Sequence, residues 1–165
     1  MTASEWATST HALAMLDALD GSPYAVPLRR FACACCRRLW DVLPTESRQA
    51  LEVADRFSDG RASDAELAAA HEEAARGYRR VDRQISFKKR KVRTQARAAW
   101  AVLAIVAPDP RRAAREAATA IIDLFGEQPA ELLRSFLPEP FVLGVVAASR
   151  SAGAELAAPP ARPRG

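Results

Sequence analysis

SDAELAAAHEEAARGYRRVDRQISFKKRKVRTQARAAWAVLAIVA, residues 63–107, is the stretch that decides the fold. It has no proline and one glycine, Gly77, and it opens at Ser63 with the S-x-x-E pattern of a helix-capping box. Alternating spacings of four and three residues run through it as one heptad register. The pattern predicts one long central helix, ~65 Å if unbroken, or a helical hairpin broken near Ser86-Phe87. The register positions are Leu67, His71, Ala74, Tyr78, Val81, Ile85, Lys88, Val92, Gln95, Ala99, Val102 and Val106.

Helix-start and helix-stop signals divide the rest of the chain into shorter helices. Sustained two-residue alternation, the pattern of strands, is missing from the sequence. The first predicted helix is capped by Ser4 or Ser9 and ends at Asp20-Gly21. The other predicted helices cover about residues 27–43, 45–58, 110–125, 129–137 and the apolar stretch 141–148. We therefore predict an all-α bundle of about six to seven helices in a single domain, residues 1–150. Residues 151–165 are rich in Ala, Pro and Arg, which predicts a disordered tail.

The composition predicts a thin core with closely packed helices. Hydrophobic residues make up 49% of the chain, but 36 of them are alanines, which favour helix and bury little surface. No apolar run is long enough for a transmembrane span. The N-terminus lacks the basic and apolar regions of a signal peptide, so a cytoplasmic location is the expectation.

Positive charge is concentrated in residues 76–97. This segment has ten basic residues and one acid, whereas the remainder of the chain has 14 basic and 19 acidic residues. On a helical wheel the apolar residues after Lys88 gather on one side, and Lys89, Arg90, Arg93 and Arg97 gather on the other. A local field of this kind attracts anionic partners.

Three interpretations of the basic segment remain open. It is a solvated helix face paired with acids of the fold, a surface for an acidic protein partner or anionic membrane, or a surface for nucleic-acid phosphates, mostly without sequence specificity. The last is favoured by interleaved aromatic residues, although no zinc-finger, RRM or homeodomain pattern is present. Our leading hypothesis is a non-enzymatic interaction module for an acidic partner. The candidate contact residues are Arg79, Arg80, Arg83, Lys89, Arg90, Arg93 and Arg97.

The heptad seam of residues 63–107 bears on oligomerisation. An apolar stripe on a helix must be buried against another helix. The seam therefore either closes within the fold or pairs two chains into a homo-oligomer.

Three clustered cysteines lie on the predicted helix 27–43. A helical wheel places Cys35 in the apolar face, Cys36 at its edge and Cys33 further round, beside Arg29 and Trp40. The thiols do not converge on one point, as a tetrahedral zinc site requires, so we predict no metal and a filling role at a helix interface. A redox-sensing Cys33, its pKa lowered by neighbouring arginines, is the less favoured alternative.

The sequence offers little material for catalysis. His11 has no nucleophile nearby, and His71 occupies an inward heptad position, where a partly buried histidine is the expectation. No phosphate-binding glycine loop, nucleophile elbow or H-E-x-x-H pattern occurs. We therefore predict no enzymatic activity, no catalytic residues and no cofactor.

Two sequence blocks carry a resemblance. They are LRRFACACCRRLW, residues 28–40, and ALEVADRFSDG, residues 50–60, supported by 46–48, Glu5-Trp6, Met15-Leu16 and 123–126. The chain resembles a large paralogous family of uncharacterised proteins from planctomycete bacteria, most specifically over residues 4–70. The resemblance implies a helical, cytoplasmic protein without established activity or known catalytic residues.

Overall fold

The computed structural model describes residues 1–19, 24–84 and 90–138, and in these residues every regular element is helical. The prediction of an all-α bundle is therefore confirmed. The helices are α1 (Ala3–Thr8), α2 (Ala12–Asp17), α3 (Ala25–Arg37), a 3-10 turn (Trp40–Val42), α4 (Thr45–Ser58), α5 (Asp64–Asp82), α6 (Arg90–Ile105), α7 (Pro110–Phe125) and α8 (Ala130–Phe136). The predicted helix 141–148 and the predicted tail lie outside the described residues.

Several helix ends follow local side-chain chemistry. Ser63 accepts a hydrogen bond from the backbone N–H of Glu66, whose carboxylate accepts one from Ser63, so the predicted capping box begins α5. Asp109 caps α7 through the backbone N–H groups of residues 111 and 112. Gly60 and Gly126 have positive φ angles of 71° and 70° after α4 and α7, a backbone conformation that glycine adopts without strain. These predicted boundaries are confirmed.

The predicted first helix is instead two short helices. Thr2 caps α1, not Ser4 or Ser9, and Ser9 has extended backbone where α1 ends. The Arg134 guanidinium of α8 donates to the carbonyls of Ser9 at 2.6 Å and Trp6 at 3.4 Å. The chain can leave the helix here because α8 satisfies carbonyls that a continuous helix would have bonded itself.

The predicted second helix also ends early. It begins at Ala25 and ends at Arg37, and the chain continues as the 3-10 turn. Pro44 disfavours helical backbone in the preceding residue. Arg48 donates from Nε to the carbonyl of Trp40 at 3.1 Å, which satisfies a group that the lost helical turn would have used.

The five longest helices form a closed ring. Each of α3, α4, α5, α6 and α7 packs on the next, and α7 returns to α3. Helix α2 packs on α7, and α8 packs on α3. The Trp6 indole donates a hydrogen bond to the carbonyl of Leu137 at 3.1 Å. Much of the core is alanine, as the composition predicts. On α6 and α7 the buried alanines are Ala96, Ala98, Ala99, Ala101, Ala104, Ala113, Ala114, Ala117, Ala118 and Ala120.

Helices α5 and α6 of this stretch pack against each other as the two arms of a hairpin, so the alternative of a single continuous rod is wrong. Helices α5 and α6 pack side by side, and the rings of Tyr78 and Trp100 lie 5.3 Å apart. The break near Ser86-Phe87 falls outside the described residues. The heptad positions Leu67, Ala74, Val81, Ala99 and Val102 are buried within the chain's own fold. These positions therefore pack within the fold, and pairing of two chains through the seam stays a prediction.

Gly77 lets α4 and α5 approach closely. A Cβ atom built there would lie 3.0 Å from the Cβ of Glu46. At an ordinary helix position Gly→Ala stabilises a protein by about 0.5–1 kcal/mol. Here we expect Gly77→Ala to lower the free energy of unfolding by about 1 kcal/mol, because the close contact forces the helices apart. Urea denaturation measures the change.

A double-variant cycle isolates that contact. Glu46→Gly removes the atom that the new methyl group meets, so Gly77→Ala should be better tolerated in the Glu46→Gly background. A stabilising Gly77→Ala in the wild-type background would contradict the close approach of the two helices.

Candidate functional site

The hairpin brings the end of α5 beside the start of α6, and both carry basic residues. Arg79, Arg83, Arg90, Lys91 and Arg93 are exposed, and none forms an ion pair with a described residue. We call these five residues the basic end. The Arg83 guanidinium donates from Nε to the carbonyl of Arg79 at 3.1 Å, at the last turn of α5. A cation at a helix C-terminus is stabilised by the helix dipole.

Two other predicted contact residues are engaged by carboxylates. Arg80 lies 2.7 Å from Glu46 of α4, and hydrogen bonding to its own backbone and to Arg80 lowers the pKa of that glutamate. Arg97 is only 22% exposed and binds Glu116 and Asp123 of α7, each at 3.0 Å. These two arginines hold helices together and have little charge left for a partner. The predicted contact residue Lys89 lies outside the described residues.

Outside the predicted contact set, Arg76 of the same segment pairs with Glu73 on its own helix. Part of the basic segment is thus neutralised within the fold, as the interpretation of a solvated and paired face requires. Among the described residues of this segment, the exposed cations without an ion pair are those of the basic end.

A shallow groove of about 400 Å³ lies beside the basic end, lined by Tyr78, Arg93, Ala96, Arg97 and Trp100. Trp100 is half-buried between Tyr78 and the Arg112 guanidinium, whose carbon lies 5.6 Å from the indole. Trp100 therefore packs at the edge of the core. Burial and the nearby Asp82 raise the pKa of Tyr78, so its hydroxyl remains protonated at neutral pH.

All three cysteines are buried free thiols, including Cys36, which the wheel placed at the edge of the apolar face, and Cys33, which it placed further round. Burial raises the pKa of Cys35 to about 12 and raises the pKa of Cys33 and Cys36 well above the ordinary value. Arg29 acts to lower the pKa of Cys33, but burial and Asp55 outweigh it. Burial and the raised pKa argue against the alternative of a low-pKa, redox-sensing Cys33.

The thiols should be inert in the folded protein, because the thiolate is the reactive form and the reagent must also reach it. With a chromogenic disulfide reagent at pH 8, we expect almost no reaction without denaturant and all three thiols to react in urea. Ala69→Cys, on the exposed face of α5, is the positive control and should react at once. Fast reaction of a native thiol would contradict the buried placement.

The histidines do not assemble a catalytic or metal centre in the described residues. His11 is exposed where α2 begins, and His71 is half-buried on α5. No group of three or more His, Cys, Asp or Glu side chains in the described ranges is arranged to hold a metal ion.

Sequence reasoning missed Arg29. This arginine of α3 is 6% exposed, and its guanidinium donates to the backbone carbonyls of Ile105, Ala107 and Pro108. It binds the carbonyls at the end of α6 while stacking over the Phe57 ring at 5.4 Å. The adjacent Arg30 is exposed and pairs with Asp59. At about 100° per residue Arg30 lies opposite the apolar face of α3 and Arg29 lies nearer to it, which is the signal that could have separated them.

No described helix combines the length and hydrophobicity that crossing a membrane requires. No protein-family model, curated protein or solved structure matches the chain. The resemblance to the planctomycete family stays a prediction.

Proposed function

We propose that the protein is a non-enzymatic interaction module of the cytoplasm, whose basic end binds an acidic surface of a partner protein. The observation that carries the proposal is the exposure of Arg79, Arg83, Arg90, Lys91 and Arg93 without an ion pair to any described residue. Other arginines of the fold are matched with carboxylates, for example Arg37 with Asp55 and Arg38 with Glu127. Cations left unmatched in one place favour an external anion.

The surroundings of the basic end support a protein partner. Ion pairs at the rim of an interface contribute mainly to encounter rate and specificity, whereas buried apolar contacts supply most of the affinity. The groove beside Arg93 offers such contacts through the half-buried rings of Tyr78 and Trp100. An acidic segment with one apolar side chain fits both features.

A nucleic acid is the second candidate, and the same groove favours it. Aromatic rings beside arginines bind single strands by base stacking together with phosphate contacts. Against it, Trp100 already has Tyr78 on one side and Arg112 on another, which limits the ring face open to a base.

Binding titrations separate the two candidates. Fluorescently labelled poly-glutamate, duplex DNA and single-stranded RNA are titrated with the full chain at about 50 mM and about 200 mM salt. We expect poly-glutamate to bind at low salt, and Arg90→Glu with Arg93→Glu to weaken it about tenfold or more through lost attraction and new repulsion.

The matched control reverses Arg56 and Arg61, which are exposed at a distance along the chain from the basic end. This control changes the net charge by the same amount as Arg90→Glu with Arg93→Glu. It should weaken the binding of poly-glutamate far less than that variant does. Equal losses in both variants would show only general charge attraction. Preferential binding of DNA or RNA would favour the second candidate, and no binding at low salt would refute both.

A further inference from the structure

A cavity of about 530 Å³ opens between α4, α5 and the end of α6, away from the basic end. Phe57, Leu67 and Val106 give it an apolar lining. This volume is within the range of about 300–1,000 Å³ that small-molecule sites occupy, and an apolar lining with a few polar groups is their usual composition.

Arg29 also lines this cavity and retains unused hydrogen-bond donors. A guanidinium has five N–H groups, and Arg29 makes three hydrogen bonds, all to backbone carbonyls. No described carboxylate forms an ion pair with it, although it is 6% exposed. Asp109 acts on this buried cation through space, but no described carboxylate contacts the guanidinium, and a ligand carboxylate would supply that contact.

The mouth of the cavity carries the opposite charge. Asp64 and Glu72 lie two turns apart on one face of α5, both exposed and both lining the cavity. Neither forms an ion pair with a described residue. Two carboxylates here repel a simple anion and attract an ammonium group.

From this arrangement we propose that the cavity binds a small zwitterion with an apolar body, such as an apolar α-amino acid. Its carboxylate meets the unused N–H groups of Arg29, its ammonium faces Asp64 and Glu72, and its side chain contacts Phe57, Leu67 and Val106. The inference does not depend on the proposed function, since it concerns different residues at the other end of the hairpin.

A wider groove is a weaker candidate. It measures about 990 Å³ between α3 and α4, but its charged side chains neutralise one another. Arg37 pairs with Asp55, and Arg30 pairs with Asp59. Of its charged lining residues, only Glu52 has no ion pair with a described residue, so little charge remains there to select a ligand.

Three probes that share a phenyl group test the proposal: phenylalanine, 2-phenylethylamine and 3-phenylpropionate. Methyl NMR of the full chain follows Leu67 and Val106 during each titration. We expect phenylalanine to shift these signals and to bind at least about tenfold more tightly than the other two, which each lack one charged end.

Three surface variants localise the binding without disturbing Arg29. Ala68→Phe, at an exposed position that lines the cavity, should fill it and abolish phenylalanine binding. Ala69→Phe, the exposed neighbour outside the cavity, should leave binding unchanged. Glu72→Gln should weaken the binding of phenylalanine about threefold and should not weaken the binding of 3-phenylpropionate.

Three results would overturn the proposal. They are no shift of the two methyl signals at the highest soluble phenylalanine concentration, binding of the amine or the acid as tight as that of phenylalanine, or binding that survives in Ala68→Phe.

Discussion

Arg29→Met is expected to lower the free energy of unfolding by about 3 kcal/mol, one of the two largest effects that the structure predicts for a single substitution. Methionine keeps the apolar stem but removes the donors to the carbonyls of Ile105, Ala107 and Pro108. The Ile105 residue is itself buried, so water cannot easily replace the guanidinium there. Each buried carbonyl left without a partner costs about 1–3 kcal/mol.

The adjacent arginine provides a matched control. Arg30→Met removes the same group from the next position of α3, where the guanidinium is exposed and lies 3.2 Å from Asp59. Its expected cost is below about 1 kcal/mol, because exposed ion pairs contribute little. Urea denaturation of both variants gives the comparison.

Burial of Arg29 also has a cost, since desolvation acts to lower its pKa. If Arg29→Met were as stable as the wild type, desolvation would outweigh the three hydrogen bonds. The free energy of unfolding of Arg29→Lys should lie between those of the wild type and Arg29→Met. One ammonium group cannot reproduce the planar guanidinium's bonds to three carbonyls.

Local signals explain which helix boundaries were predictable. The caps at Ser63 and Asp109 and the glycines after α4 and α7 act within a few residues of chain. The ends of α1 and α3 were not predictable, because the donors that satisfy their freed carbonyls are the side chains of Arg134 and Arg48. Those partners belong to the tertiary fold, not to the local sequence.

The heptad register predicted the buried face of residues 63–107 but not its shape. A rod and a hairpin bury the same stripe of side chains. A rod buries it against other helices, whereas a hairpin buries it partly against its own second arm. The spacing of the apolar residues therefore does not distinguish the two shapes. Packing of Tyr78 against Trp100 distinguishes the two arrangements, and that contact is tertiary.

The candidate site was also only partly predictable, because the wheel shows which residues share a helix face but not which tertiary partners they meet. Charge segregation on the wheel identified Arg90 and Arg93, which are exposed. It also included Arg97, whose partners Glu116 and Asp123 are seven residues apart and so share one face of α7. The sequence contains that spacing, but only the fold shows that this face of α7 meets Arg97.

Ala117→Leu is the second substitution with a large expected effect. Ala117 is fully buried on α7, the helix that packs against both α3 and α6. Glu116 and Asp123 mark the side of α7 toward α6, and Arg115, which pairs with Asp17, marks the side toward α2. At about 100° per residue, Ala117 points between α6 and the remaining neighbour, α3.

A leucine there has no space to occupy. The helices meet through alanines, so three additional carbon atoms must push α7 away from its neighbours or force strained rotamers. We expect a loss of about 3 kcal/mol in the free energy of unfolding, at the upper end of typical overpacking costs. Helix propensity cannot explain such a loss, because alanine and leucine differ little.

Ala69→Leu provides the control for this experiment. It makes the same change on α5 at an exposed position, and its expected effect is within about 0.5 kcal/mol. Thermal and urea denaturation of the two variants should therefore differ strongly despite identical chemistry. A well-tolerated leucine at position 117 would mean that α7 can move from its neighbours at little cost, and that close alanine packing is not what fixes the helix ring.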